Sequence, residues 1–201
     1  WIKSQSPDFT PSLVWVPFAG SGTLGFEANI YYRGISPFLF NREFAFNTFK
    51  CATLNSTKNL LSTLKEEIAP SIETEFIDID PEMGESLNKN IASYKKLIDC
   101  DKNHLRSSAA DFLKSKIPVS EKTFIPLNPP YGVRLKEGST PLYKKTGSYI
   151  NQITGQVGGF IISPTKEASE AFLGQLEGFK YETNKFSQGG LKVLVSNFFK
   201  A

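Results

Sequence analysis

The feature that most constrains this chain is a short apolar run that empties into a glycine-rich turn. Leu13-Val14-Trp15-Val16 reads as a strand buried on both faces, broken at Pro17 and followed by Phe18-Ala19-Gly20-Ser21-Gly22-Thr23. Leu24 to Tyr32, apolar at Leu24, Phe26, Ala28 and Ile30, reads as a helix. A strand passing to a helix through glycines lets a ligand approach the backbone, and the helix start offers it unpaired N–H groups. No Lys follows the second glycine, so the turn is not a Walker A phosphate loop.

The same alternation continues. Glu75-Phe76-Ile77-Asp78-Ile79 reads as a second strand, and Asp80-Pro81-Glu82 as a helix start with Asp as N-cap, Pro in the first turn and an acid beside it. That helix is expected to reach about Tyr94. His104–Ala109 and Thr123–Leu127 read as strands, the first ending near Asp111 and the second at Asn128-Pro129-Pro130-Tyr131. Helices are expected over residues 60–68, 141–153 and 165–176, a strand over Gly159–Ser163, and a closing hairpin of residues 179–186 and 191–199 turned by Gly189-Gly190. Strands that alternate with helices imply βαβ units and a mainly parallel sheet, to which the hairpin adds an antiparallel strand. Ligands in such sheets bind at the carboxyl ends of the strands.

Composition narrows the chemistry. With 201 residues, 23 Lys and Arg against 20 Asp and Glu, and 40% apolar residues, the chain suits one globular domain of mild positive charge. Two cysteines, Cys51 and Cys100, exclude a disulfide scaffold or a four-cysteine zinc site, and the single His104 argues against a His-built metal centre or a Ser-His-Asp hydrolase. No metal site is expected. No apolar run nears the ~18 residues of a membrane span and no signal peptide opens the chain, so a cytoplasmic setting without membrane contact is expected.

Three loops carry candidate chemistry. Asp78, at a strand end, can accept from two ribose hydroxyls, but it lies 56 residues beyond Gly22, far past the ~20 of the simple dinucleotide fingerprint. Asp111 can accept from an adenine amino group. In Asn128-Pro129-Pro130-Tyr131 the prolines remove two N–H donors, so the loop presents acceptors suited to a substrate –NH2, and Tyr131 offers a face for base stacking worth ~1–3 kcal/mol.

Taken in order, Phe18-Ala19-Gly20-Ser21-Gly22-Thr23, Asp78-Ile79-Asp80-Pro81 and Asn128-Pro129-Pro130-Tyr131-Gly132-Val133-Arg134-Leu135 resemble the Rossmann-like S-adenosylmethionine-dependent methyltransferases. More narrowly they resemble the catalytic domain of the THUMP-associated RNA methylase family, which includes bacterial large-subunit ribosomal RNA guanine-N2 methyltransferases. Asn41-Arg42-Glu43-Phe44-Ala45-Phe46 matches a segment this family carries between its first two strands, which accounts for the long spacing to Asp78; Asn184-Lys185-Phe186 to Gly189-Gly190-Leu191 is similar to its last hairpin. Two positions depart from its pattern: Val16 stands where the family has Asp, and Ala19 where it has Cys.

The resemblance implies an α/β fold, a Rossmann-like methyltransferase sheet that is mostly parallel with a C-terminal antiparallel hairpin strand. It implies S-adenosylmethionine as cofactor, with Pro17, Phe18, Ala19, Gly20, Gly22 and Thr23 around its amino-acid part, Asp78 on the ribose, Ile79 against the adenine, and Asp111 and Phe112 at the adenine edge. Asn128 and the Pro129 carbonyl would accept from the target amine while Tyr131 stacks on the base. The implied substrate is RNA, ribosomal first and transfer RNA second, methylated on guanine N2. Adenine-N6 methylation of RNA or DNA, and a degenerate RNA-binding methyltransferase fold, stay open beside it. The chain opens on Trp1 and its one methionine is Met83, so a single catalytic domain separated from an upstream RNA-binding part is expected.

Overall fold

All four residues of strand β1 (Leu13–Val16) are buried, as a strand covered on both faces requires. Leu13 and Trp15 enter one apolar cluster and Val14 and Val16 the other, so this strand divides the core into two layers. The computed structural model describes residues 1–35, 72–98, 104–130, 140–188 and 190–201. The expected helix at 60–68, the segment 41–46, Cys51, Cys100, Tyr131 and Gly189 lie outside them.

In chain order the described elements are α1 (Ile2–Gln5), β1, α2 (Thr23–Tyr32), β2 (Glu73–Asp78), α3 (Pro81–Ile98), β3 (Leu105–Ala109), a 3-10 turn (Phe112–Lys114), β4 (Lys122–Leu127), α4 (Thr140–Ile150), β5 (Gln156–Ser163), α5 (Lys166–Leu173), β6 (Lys180–Gln188) and β7 (Leu191–Lys200). The sheet order is β3-β2-β1-β4-β5-β7-β6. β1 to β5 are parallel to one another, while β7 runs antiparallel to both β5 and β6. Six strands thus keep the doubly wound order 3-2-1-4-5-6, with one reversed strand inserted before the edge. This is the α/β fold expected from the sequence.

Strand order reverses between β1 and β4, and there the sheet opens. β1 pairs with β2 as far as Val16↔Phe76, and β4 pairs with β5 as far as Leu127↔Ile161, but β1 and β4 are in register only at Leu13↔Thr123 and Val14↔Phe124. Two residues past that last pair β4 carries Pro126, which has no N–H to give to a neighbour. A crevice at the carboxyl ends of β1 and β4 follows, with helices α2 and α3 on one face of the sheet and α4 and α5 on the other.

Candidate functional site

The first wall of the crevice is the glycine turn. Gly22 is the N-cap of α2 in a left-handed conformation, φ 90°. Gly20 is also left-handed, φ 52°, and a Cβ placed on it would meet nothing within 4 Å, so its backbone faces open space. A third glycine, Gly25, does a different job. A Cβ there would overlap Phe76 and stand 2.9 Å from Val16 Cγ2, so α2 sits directly on β1 and β2. Gly20, Gly22 and Gly25 together have the G-x-G-x-x-G spacing. The three-residue step from Gly22 to Gly25 is the sequence signal for this third glycine, which lies beyond the turn at residues 17–23. Val16 is fully buried in the apolar layer under α2.

Three carboxylates follow, each tied to backbone. Asp78, the last residue of β2, accepts from Gly20 N–H through Oδ2 at 2.6 Å and from Asp80 N–H through Oδ1 at 3.0 Å. Asp80 accepts from Glu82 N–H at 2.9 Å, the helix-capping role expected of it. Asp111 caps the 3-10 turn by accepting from Leu113 N–H at 3.1 Å, with Lys114 Nζ 3.6 Å from its other oxygen. The turn itself had no expectation attached; Tyr149 of α4 holds it by donating its hydroxyl to Ser115 O at 3.2 Å while stacking flat on Trp15. Burial first, and then the Glu75 carboxylate, push the Tyr149 phenol up from its ordinary value.

On the far side β4 ends at Leu127, and the chain passes into Asn128, Pro129 and Pro130. Pro129 is buried. Asn128 Oδ1 is buried without any hydrogen-bond partner among the described residues. A buried carbonyl oxygen left unpaired costs about 1–3 kcal/mol, so its retention calls for an explanation.

These walls enclose a cavity of about 480 Å³, within the range of small-molecule sites. Pro17, Phe18, Ala19, Gly20 and Thr23 line it from the first loop; Asp78 and Ile79 from the second; Asp111 and Phe112 from the third; Asn128 from the fourth. Gly22 and Pro129 stand behind the lining, and Tyr131 lies outside the described residues. Pro130 of the proline loop and Leu113 of the 3-10 turn also line it, as do Met83 and Leu142, which no local pattern announces because α3 and α4 bring them to the opening. Ile79 is 70% exposed and Met83 36%, apolar surface that a flat ring can cover. Among the described residues the charged lining is Asp78, Asp80 and Asp111, all acidic. Such a lining suits a ligand that carries positive charge and hydroxyl or amino donors around an aromatic ring. Among the described residues no group of His, Cys, Asp and Glu is arranged to hold a metal ion, and no helix is long and apolar enough to cross a membrane.

Residues 12–194 match the family described as RMKL-like, methyltransferase domain. Solved structures share the fold. SMU.472, assigned as a methyltransferase and complexed with SAH, is 24% identical with a TM-score of 0.77, over 100% of this chain and 51% of that one. A predicted N6-adenine-specific DNA methylase from Listeria monocytogenes is 20% identical (TM-score 0.68; 100% and 49% of the two chains), and TrmN from Thermus thermophilus 19% identical (TM-score 0.57; 100% and 47%). The chain therefore spans about half the length of these structures.

Proposed function

The chain belongs to the RMKL-like methyltransferase-domain family, and from that premise we propose that it transfers a methyl group from S-adenosylmethionine to the exocyclic amine of a base in RNA, guanine N2 of ribosomal RNA first. What carries the reading is Asn128 Oδ1, a buried acceptor with no partner among the described residues, on the wall of an acid-lined cavity. A target –NH2 entering the crevice satisfies it. SAH in the SMU.472 structure supports the choice of cofactor.

The residues present fit that cofactor. Open space at Gly20 admits a polar chain against the backbone, the three aspartates face a cationic molecule, and the exposed Ile79 and Met83 offer apolar cover for the adenine. Asp78 serves the ribose, and Asp111 and Phe112 the adenine edge. When bound, S-adenosylmethionine supplies an electrophilic methyl on a positively charged sulfur.

The chain's own part is positioning. An exocyclic amine is a poor nucleophile because its lone pair is delocalised into the ring. Asn128 Oδ1 and the Pro129 carbonyl, each accepting one amine hydrogen, hold the nitrogen so that it turns pyramidal and its lone pair, withdrawn from conjugation with the ring, points across the cavity; as the N–C bond forms the S–C bond breaks, and one amine proton is released. Tyr131 stacks on the base and fixes its height. Fixed acceptors and fixed orientation need no reorganisation at the moment of reaction, which is where most of such rate gains arise.

The test is methyl transfer from labelled S-adenosylmethionine to ribosomal and transfer RNA, followed by nucleoside mass spectrometry. Labelled N2-methylguanosine is expected. Labelled N6-methyladenosine instead would replace the guanine reading with the adenine one, and transfer to no nucleic acid would end both.

A further inference from the structure

Beside the cavity, on the opposite flank of the 3-10 turn, lies a second, open groove. One face of α4 forms its wall: Pro141, Lys144, Lys145 and Ser148, with Gln152 just past the helix end, recur at three- and four-residue steps. Leu113 forms the other side and is shared with the cavity, whose own lining includes Leu142, the next residue after Pro141 on α4. The two hollows are therefore neighbours across one side chain. Their electrostatics are opposite. Among the described residues the cavity's charged lining is three aspartates, whereas the groove's is Lys144 and Lys145, both exposed, with no carboxylate beside them. Neither lysine has a carboxylate partner among the described residues.

We infer that this groove binds the RNA strand next to the methylated nucleotide, with the flanking nucleotide's apolar surface over Leu113 and Pro141 and its phosphates on Lys144 and Lys145. The inference rests on the methyl-transfer reading and extends it from the target base to the strand that carries it. An apolar floor rimmed by cations matches a nucleotide on both counts, since a sugar and base offer apolar surface and each linkage offers one negative charge. Two ammonium groups one residue apart on a helix reach successive phosphates without displacing any internal ion pair. Position decides in favour of nucleic acid over an acidic polypeptide. A strand whose target base enters the cavity must leave over its rim, and the shared Leu113 rim leads into this groove.

The experiment measures binding of a fluorescent single-stranded oligoribonucleotide by anisotropy across a salt series, for the wild type and for Lys144→Gln/Lys145→Gln. Loss of two phosphate contacts is expected to lower the slope of log K against log salt by about 1.4 and to weaken binding on the order of tenfold at 0.1 M salt. S-adenosylmethionine affinity by calorimetry and the thermal midpoint should stay within error, since both side chains are exposed and stand off the cavity. An unchanged slope in a wild type that binds RNA would overturn the groove while leaving methyl transfer standing. A wild type that binds and methylates no RNA would overturn both readings. A variant that loses polyglutamate binding yet keeps RNA binding would reassign the groove to an acidic polypeptide and end the inference.

Discussion

The two sides of the crevice are built on opposite plans. On the β1–β2 side every carboxylate that faces the cavity already holds backbone: Asp78 takes amides from two different loops, Asp80 caps α3 and Asp111 caps the turn behind it. On the β4 side the polar atom that matters, Asn128 Oδ1, holds nothing among the described residues. The first side is rigid before any ligand arrives, so a cofactor meets fixed acceptors and a fixed backbone contour. The second keeps an unmet acceptor in reserve, the one assigned to the target amine in the proposed reaction. On that proposal pre-organisation serves affinity on one side and selective engagement of the target on the other.

That contrast breaks most visibly at Asn128. Asn128→Ala is expected to lower kcat by 10²–10³-fold, as removal of a preorganised polar group does elsewhere. Equilibrium unfolding in urea should show no loss of stability, because the deleted oxygen was unpaired. A destabilisation above about 1 kcal/mol would mean that Asn128 is a structural residue. Next in size is Gly25→Val, which forces a branched side chain into Phe76 and Val16. A loss of about 3 kcal/mol by chemical denaturation is expected, with weaker cofactor binding in calorimetry as α2 lifts.

Asp78→Ala tests the pinned side directly. Removing an ionised acceptor from two amides should cost about 2 kcal/mol of stability and at least tenfold in S-adenosylmethionine affinity by calorimetry. If affinity alone falls, Asp78 serves the ligand and not the loop. The smallest effect belongs to Tyr149→Phe, which frees Ser115 O at a cost of about 1 kcal/mol. Its pH dependence carries a definite sign. The phenol's folded pKa lies above the unfolded value near 10, so its stabilisation is complete below pH 10 and is lost as pH rises through the raised folded value. Thermal melts of the two proteins should differ at pH 8 and converge in strong alkali.

What could be read from the sequence was whatever is local. The strand Leu13–Val16 appeared with both ends in place, since four apolar residues bounded by Ser12 and Pro17 have few other readings. Asp80 as a helix cap was visible too, and it accepts the Glu82 amide; the helix expected from Thr165 starts one residue later, because Thr165 itself is the cap and accepts from Ala168 N–H. Ends set by neighbours moved. β2 begins at Glu73 and stops at Asp78, because its register with β3 closes on Asp78↔Ala109, which leaves Ile79 outside the strand and exposed. α3 continues past Tyr94 to Ile98, its last turn carrying Lys95 and Lys96 where the helix dipole favours cations. Met83 and Leu142 join the cavity only because α3 and α4 flank the same opening, and no spacing along the chain encodes that. The carboxylates of Asp78 and Asp111 were read for ligands, and their work in holding loops emerged only with the neighbouring amides in place.

The hydrogen bond between Gly20 and Asp78 spans 58 positions of chain but only the width of one strand pair. The β1–β2 register therefore decides where the two loops meet: Val16↔Phe76 is its last pair, and Gly20 and Asp78 stand four and two residues beyond it. A change that slides β2 by one residue against β1 takes the Asp78 carboxylate away from the Gly20 amide, so strand register, set in the apolar core, is also the gauge that sets the width of the cofactor pocket.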